Sequence, residues 1–349
     1  MRASTTAYFA LSFLTASAQS PAVADSTSGK AKKYRPRISG VIQAHYLEEF
    51  NTNGDTIRDP GGFRILRARL TAKGKVSKLI TYEVMIDPRA PEPRGILRDA
   101  FIGLRHIKNQ EIRIGQQKTQ FGWENRQSIT NLYTVNRAEM SDGASRGENL
   151  RDIGIGILGH IRLNDRFRIE DAVTFTNGTR MNVAGPYDFN TKKALWGRLG
   201  LRYKKDDLEL NVGGSFGMGG IRYLYDDYVD PSDDVFADFT RYGADVQAEN
   251  KRFFFAAEYA MGEDVVMDTL FAEPMGYQAM LAIKTKWKAG PLVRYDVFED
   301  EWSVWTIGAY YGEPKAPLRF LLNYVVRSGV TDIPGGHDDR LYVQAQVTF

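Results

Sequence analysis

The chain has 349 residues, of which 43% are hydrophobic and 26% charged, and its 46 Lys and Arg nearly balance its 43 Asp and Glu. This balance excludes nucleic-acid binding through bulk charge, and it equally excludes an acidic disordered chain. No apolar run reaches the roughly 18 residues that a spanning helix needs, so a helical membrane protein is excluded as well. β-barrels are not excluded, because their apolar residues alternate with polar ones, and 33 glycines with no cysteine suit a disulfide-free all-β protein.

The N-terminal segment has the pattern of a secretory signal peptide. A positively charged start precedes the apolar stretch 7–14, and small residues follow it. Cleavage fits after either Ala18 or Ala24, so we expect the mature chain to begin at Gln19 or Asp25. The sequence therefore predicts an exported protein in three parts, which are a signal peptide over 1–24, a periplasmic N-terminal arm over 25–37 and a β-barrel over 38–349.

From residue 38 onward, apolar and polar residues alternate in blocks of about ten, the length of a tilted strand that crosses a bilayer. In the last block, Val343, Ala345 and Val347 fall on one face, whereas Gln344 and Gln346 fall on the other. The blocks predict about sixteen strands, an even number as in single-chain bacterial barrels. They cover residues 38–48, 63–74, 77–87, 97–106, 111–117, 153–163, 166–176, 194–204, 207–217, 239–250, 252–261, 275–287, 290–298, 303–312, 317–327 and 339–349.

The connectors between these blocks alternate between long and short, as the loops and turns of outer-membrane barrels do. The segment Glu299-Asp300-Glu301 is the exception, because it is short where a long loop is due. The stretch 118–152 has no strand pattern and is too long to serve only as a connection between two strands. We predict an all-β fold, a transmembrane antiparallel β-barrel of about 16 strands with this long loop folded into the pore. The alternative is that the loop stays outside as a surface lid.

Four segments of the first half of the chain resemble a known family. They are Phe63–Leu70 (FRILRARL), Arg98–Ile102 (RDAFI), Gly115–Glu124 (GQQKTQFGWE) and Arg151–Ile155 (RDIGI). Together they are similar to the phosphate- and polyphosphate-selective porins of the Gram-negative outer membrane, the porin O/P family. This resemblance implies a sixteen-stranded, typically trimeric channel in outer-membrane lipid, selective for small anions such as phosphate and chloride. Phosphate-specific members carry a lysine cluster on the loop in the pore, whereas 118–152 contains only Lys118. Because of this difference, the resemblance implies anion passage but not high phosphate selectivity.

If the apolar face of each strand contacts lipid, the opposite face lines the pore, and basic residues outnumber acidic ones there. Rings of Arg or Lys favour anions, and the planar guanidinium group matches phosphate and carboxylate oxygens. The alternative interpretation is that many of these arginines pair with inward acids and only fill the lumen. We expect Arg67, Arg69 and Arg113 to carry the ion preference. The candidate pore-lining and anion-binding residues are Arg67, Arg69, Arg105, Arg113, Lys118, Arg126, Arg137, Arg198, Arg202 and Arg319.

The sequence thus predicts a passive, anion-preferring diffusion channel in the outer membrane of a Gram-negative bacterium, a homotrimer as the resemblance implies. We expect no catalytic residues, no cofactor, no metal and no nucleic-acid partner. Two other functions remain open. One is an outer-membrane barrel hydrolase, because Gly213-Gly214-Ser215-Phe216-Gly217 matches the G-x-S-x-G pattern of a nucleophilic serine. The other is a soluble periplasmic all-β binding protein, which would show the same alternation of apolar and polar residues.

Overall fold

Consecutive segments of the chain pair edge to edge in the computed structural model, and the first strand also pairs with the last. The structure describes residues 35–50, 61–89, 96–143, 151–178, 192–223, 235–266, 269–299, 302–329 and 339–349. The strands all belong to one compact unit, Pro36–Phe349. The predicted signal peptide and all but the end of the predicted arm lie outside the described residues.

The described residues form seventeen strands in one sheet. The strands are β1 (Arg37–Phe50), β2 (Gly62–Lys75), β3 (Ile80–Ile86), β4 (Leu97–Leu104), β5 (Gln110–Lys118), β6 (Arg151–Arg162), β7 (Phe167–Thr176), β8 (Ala194–Lys205), β9 (Leu208–Tyr223), β10 (Val235–Glu249), β11 (Phe253–Val266), β12 (Thr269–Ala272), β13 (Met275–Ile283), β14 (Ala289–Phe298), β15 (Trp302–Tyr311), β16 (Leu318–Gly329) and β17 (Asp339–Thr348). A 3₁₀ helix, Ile129–Asn131, and a short helix α1, Glu139–Gly143, lie between β5 and β6. No helix within the described ranges is long and apolar enough to cross a membrane.

The sheet closes into a barrel because β1 pairs with both β2 and β17, antiparallel in each case. The short β12 and the following β13 both pair with β11, so they are two segments of one crossing. Counted in this way, the described strands make sixteen antiparallel crossings, which confirms the predicted architecture. Closure leaves no described strand at a free edge of the sheet, as the interior of a bilayer requires.

The two faces of each strand differ as the alternation predicts. On β17, Tyr342, Gln344 and Gln346 point into the barrel and are at most 7% exposed. Their neighbours Val343 and Val347 point outward and are 47% and 44% exposed. An apolar outer face and a polar inner face fit a barrel whose outer surface is surrounded by lipid.

Short turns and longer connectors alternate around the barrel, and the short connector after β14 is confirmed because β15 begins at Trp302. Two predicted boundaries are wrong, since β9 continues to Tyr223 and β11 to Val266. Glycines and adjacent charges interrupt the alternation there, yet backbone pairing continues, with Asp238 of β10 opposite both Gly220 and Val265. Strand pairing depends on the backbone, so it persists where the side chains no longer follow a bilayer pattern.

The described part of the long connector between β5 and β6 bends into the barrel, as predicted, instead of staying outside as a surface lid. We call residues 119–143 the inner loop. Its apolar side chains Phe121, Tyr133, Val135 and Met140 are at most 2% exposed. They pack on inward apolar residues of the wall, which are Ala194, Trp196, Phe239, Phe254, Ala256, Ala260, Met280, Ala282, Leu292, Tyr310, Leu321 and Tyr342. This apolar part of the inner wall therefore determines where the inner loop lies.

Candidate functional site in the barrel lumen

Two arginines of the barrel wall hold the inner loop by its backbone carbonyl groups. Arg319 on β16 donates to the carbonyl oxygens of Thr130 at 3.0 Å and Leu132 at 2.8 Å. Arg294 on β14 donates to the carbonyl oxygen of Asn136 at 2.9 Å. The sequence predicted Arg319 as a pore-lining residue. Its side chain is instead fully buried beneath the loop and holds the loop through these two hydrogen bonds.

Acceptors on the wall bind backbone amides of the same loop. The Glu258 carboxylate on β11 accepts from the amides of Trp123 at 2.9 Å and Glu124 at 3.0 Å. Asn323 on β16 accepts from the amide of Val135 at 2.8 Å through its side-chain oxygen. Buried amides need such partners, so these contacts fix both arms of the inner loop to the wall.

Two further candidate residues bind the loop internally. The Lys118 ammonium group donates to the carbonyl oxygens of Asn125 and Gln127, both at 2.7 Å. The Arg137 guanidinium group donates to the Gln127 carbonyl oxygen at 2.9 Å. Lys118 and Arg137 therefore shape the inner loop instead of presenting their charges to the passage.

A cluster of guanidinium groups, here named the arginine wall, lies on β2 and at the starts of β4 and β6. Its members are Arg67, Arg69, Arg98 and Arg151. The other three lie close enough to Arg69 to repel its charge. Among the described residues, the Asp87 carboxylate binds Arg69 at 2.8 Å and the Asp99 carboxylate binds Arg151 at 2.9 Å. The inner wall thus gathers four guanidinium groups here, and they include the predicted Arg67 and Arg69.

An irregularity in strand pairing brings Arg98 into this cluster. Met85 pairs with Asp99, whereas the next residue, Ile86, pairs with Leu97, so Arg98 is an extra residue in the ladder. Such a bulge re-aims side chains, and both Arg98 and Asp99 are buried, at 7% and 6% exposure. Simple alternation places neighbouring residues on opposite faces, so it could not have revealed that both belong to the inner wall.

A chamber of about 510 Å³ lies between the inner loop and the short-turn ends of strands β7 to β11, bounded also by the turn after β15. Its wall contains five cationic and four carboxylate side chains together with three aromatic rings. The cations are Arg126, Arg168, Arg198, Arg202 and Lys315, the carboxylates Glu170, Glu209, Glu249 and Glu313, and the rings Trp123, Tyr133 and Phe254. The structure thus brings the predicted Arg126, Arg198 and Arg202 together around one cavity.

Most arginines of this chamber are paired with acids. Arg198 Nε donates to Asp245 at 2.8 Å, and the pair is almost completely buried. Arg168 and Arg202 likewise bind neighbouring glutamates. For these three residues, the structure supports the interpretation that inward arginines balance inward acids.

Arg126 differs from its neighbours in the chamber. Its Nε donates to the amide oxygen of Gln120 at 2.8 Å, and no carboxylate among the described residues forms an ion pair with it. Burial and repulsion from Arg198 lower the pKa of Arg126 to about 10. The guanidinium group therefore stays charged at neutral pH.

Arg105 and Arg113 lie toward the short-turn end, apart from the arginine wall. Both bind Glu111, through Nε at 2.9 Å and 2.7 Å respectively. Arg113 also lies over the ring of Phe101, 4.5 Å from its centroid. Arg105 is half exposed in the turn after β4. The structure therefore separates Arg113 from Arg67 and Arg69, with which the sequence grouped it.

Two buried ion pairs of the inner wall were missing from the predicted set. Arg241 binds Asp264 at 2.7 Å, and Arg294 lies 3.2 Å from Asp296. Arg294 and Asp296 occupy alternate positions of the predicted block 290–298, so the alternation already carried the signal that would have found them.

Ser215 occupies a structural position inside the barrel. Its hydroxyl oxygen accepts from the Gly122 amide at 3.1 Å and is covered by the inner loop. The surrounding G-x-S-x-G segment lies within β9, whereas a nucleophile elbow needs a sharp strand-to-helix turn. Gly122 has φ of 68°, and a Cβ there would lie 2.2 Å from a Glu258 oxygen, so a glycine permits this close approach.

A closed antiparallel barrel with an apolar outer face, a charged inner face and a loop folded inside defines a transmembrane channel of the porin class. The chain belongs to the family of phosphate-selective porins O and P, whose model matches residues 38–283, more than half of its length. This match confirms the resemblance seen in the sequence. The protein is accordingly an outer-membrane porin channel of Gram-negative type.

Several solved porins share the fold. The anion-selective porin from Comamonas acidovorans is 12% identical and superimposes with a TM-score of 0.59, over 90% of this chain and 100% of that chain. OmpT of Vibrio cholerae in its trimer form is 14% identical, with a TM-score of 0.58 over 90% and 99% of the two chains. The channel DcaP of Acinetobacter baumannii is 13% identical, with a TM-score of 0.54 over 91% and 98%. No curated protein matches this chain in sequence.

Proposed function

We propose that this porin is a passive diffusion channel that prefers small anions. The observation that carries the proposal is the arginine wall, where four guanidinium groups lie so close together that three of them repel the charge of Arg69. Because a narrow, low-dielectric lumen strengthens the field of each charge, an excess of positive charge concentrates anions and repels cations. The inner loop packs on the apolar part of the inner wall, so these apolar side chains are shielded from the passage.

Phosphate and chloride are both expected to pass, without strong discrimination between them. High phosphate affinity needs several donors directed at one oxyanion. The ammonium group of Lys118, the one lysine of 118–152, is occupied by the two backbone carbonyl groups of Asn125 and Gln127. The arginine wall therefore supports anion passage, whereas the loop offers no lysine cluster for phosphate.

The test is the reversal potential of the purified porin in a planar bilayer across a KCl gradient. We expect reversal on the chloride side, and we expect Arg67→Gln to lower the chloride-to-potassium permeability ratio about two- to fivefold, since one screened charge contributes about 0.5–1 kcal/mol. Lys108→Gln is the matched control, because Lys108 is an exposed lysine of the turn between β4 and β5. A potassium-side reversal, or an equal response of both variants, would contradict the proposal.

We further propose that residues 1–24 are removed on export, that 25–37 form a periplasmic arm and that the mature chain assembles as a homotrimer. The pattern of a signal peptide supports the first statement, and the trimer form of OmpT, a porin of similar fold, supports the last. The intact mass of the outer-membrane protein distinguishes a start at Gln19 from one at Asp25. Its native mass in detergent should be three times that value, and a monomer would refute the trimer.

A further inference from the structure

Three aromatic rings form one surface in the chamber. The rings of Trp123 and Phe254 lie 5.7 Å apart between centroids, and those of Tyr133 and Phe254 stack at 5.1 Å. All three side chains line the cavity, two from the inner loop and one from β11. We call Trp123, Tyr133 and Phe254 the aromatic shelf. Tyr133 and Phe254 are only 2% and 8% exposed, so they support the partly exposed Trp123, which is the ring on which a further planar ring can stack.

The inner loop presents a positive charge to the same cavity. Arg126 follows Trp123 by three residues and also lines the chamber. Its Nε contacts the neutral amide of Gln120, whereas Arg168, Arg198 and Arg202 bind carboxylates. A carboxylate that enters the chamber competes with a bound acid at those three arginines. Arg126 is attracted by Glu170, Asp245 and Glu258, but it forms an ion pair with none of them among the described contacts. Arg126 is therefore the position at which an incoming carboxylate gains most.

The charge balance of the chamber favours an anion that also has an apolar part. Five cationic side chains face four carboxylates, so the net charge is small and a simple inorganic ion gains little from the whole cavity. An anion with a planar ring gains apolar burial and stacking in addition. A volume of about 510 Å³ lies within the range of about 300–1,000 Å³ that small-molecule sites occupy.

We propose that the chamber binds small aromatic carboxylates, with the ring on the aromatic shelf and the carboxylate on Arg126. The inference rests on the proposed function, because it names a class of solute for the same anion channel. Chloride and phosphate pass this cavity without using the shelf. Aromatic carboxylates occupy it on their way through, so they slow the flow of other ions.

The experiment measures how benzoate and acetate block the chloride current of the full-length porin in a planar bilayer. The two anions carry the same charge, and only benzoate has a ring. We expect half-maximal block by benzoate at about three- to tenfold lower concentration than by acetate, the effect of stacking one ring. The reversal potential is recorded in the same bilayers, so ion preference is known independently of block.

Variants locate the effect within the chamber. Trp123→Leu should remove most of the advantage of benzoate over acetate, whereas Trp123→Phe, which keeps a ring, should retain it. Arg126→Gln should weaken block by both anions, and Lys108→Gln should change neither. Where Trp123→Leu does not yield a folded barrel, Phe254→Leu tests the shelf from the strand side.

Equal block by benzoate and acetate with a chloride-side reversal would overturn this inference and leave the proposed anion channel intact. An advantage of benzoate that persists in Trp123→Leu, or block by both anions that is unchanged in Arg126→Gln, would also overturn it, since the binding site would then lie elsewhere. A potassium-side reversal would overturn the proposed function, and this inference with it.

Discussion

At the residue scale, a charge that faces the lumen serves one of two different roles. Glu258 has no cationic partner among its described hydrogen bonds, and its carboxylate instead binds two amides of the inner loop. Arg319 binds loop carbonyl groups in the same manner. Arg126, by contrast, directs its charge toward an open cavity. Facing the lumen is therefore not enough to make a residue part of the ion path, because an inward charge that binds backbone groups is already satisfied.

Glu258→Gln tests the structural role. Glutamine keeps the shape but replaces one carboxylate oxygen with an NH₂ group, so one of the two loop amides loses its acceptor, at a cost of about 1–3 kcal/mol. We expect faster hydrogen exchange at the Trp123 or Glu124 amide. Glu83→Gln is the control, because Glu83 binds the exposed Lys73 at 3.0 Å and lies on β3, outside the loop contacts described. Unchanged exchange in Glu258→Gln would show that the loop does not depend on this carboxylate.

At the scale of strands and loops, alternation was sufficient to predict the barrel. Lipid demands an apolar side chain at every second position, and β17, with Val343 and Val347 outward and Gln344 and Gln346 inward, is typical. The pairing of inward charges could not be predicted in this way. Arg198 and Asp245 lie 47 residues apart in sequence, and alternation assigns a face but not the strand register that makes them neighbours.

The position of the inner loop likewise depends partly on its own sequence and partly on residues far away in the chain. Its length and lack of strand pattern predicted a position inside the pore. Which wall it contacts depends on apolar residues from many strands, such as Phe254 and Leu321, which pack around Tyr133 and Val135. No local pattern in residues 118–152 contains this information, so Lys118 and Arg137 were expected in the passage although they bind the loop itself.

At the scale of the whole molecule, ion preference depends on the arrangement of charges and not on their sum. The chain as a whole carries a formal charge of only +3. The arginine wall concentrates four guanidinium groups in one region, whereas the chamber is nearly neutral. A selectivity that arises from such a local field acts over the distance that dissolved salt permits.

The anion preference is therefore expected to decrease as salt concentration rises. The Debye length falls from about 10 Å at 0.1 M to about 3 Å at 1 M, so high salt screens the arginine wall from the centre of the passage. The chloride-to-potassium permeability ratio, measured at a constant gradient over this range, should approach that of free diffusion at 1 M. A ratio that does not change with salt would instead indicate selection by direct contact with a dehydrated ion.

Closure of the barrel has a consequence for how the protein is made. The seam between β1 and β17 joins residues far apart in the chain, as the hydrogen bond between Gln43 and Gln346, 303 positions apart, illustrates. Contacts of such large sequence separation form late, because the entropy of a long open chain must be lost first. Until then, β1 has an unpaired edge that is free to associate with other chains. Biogenesis must therefore protect the early strands from aggregation until the last strand has been synthesised and delivered to the membrane.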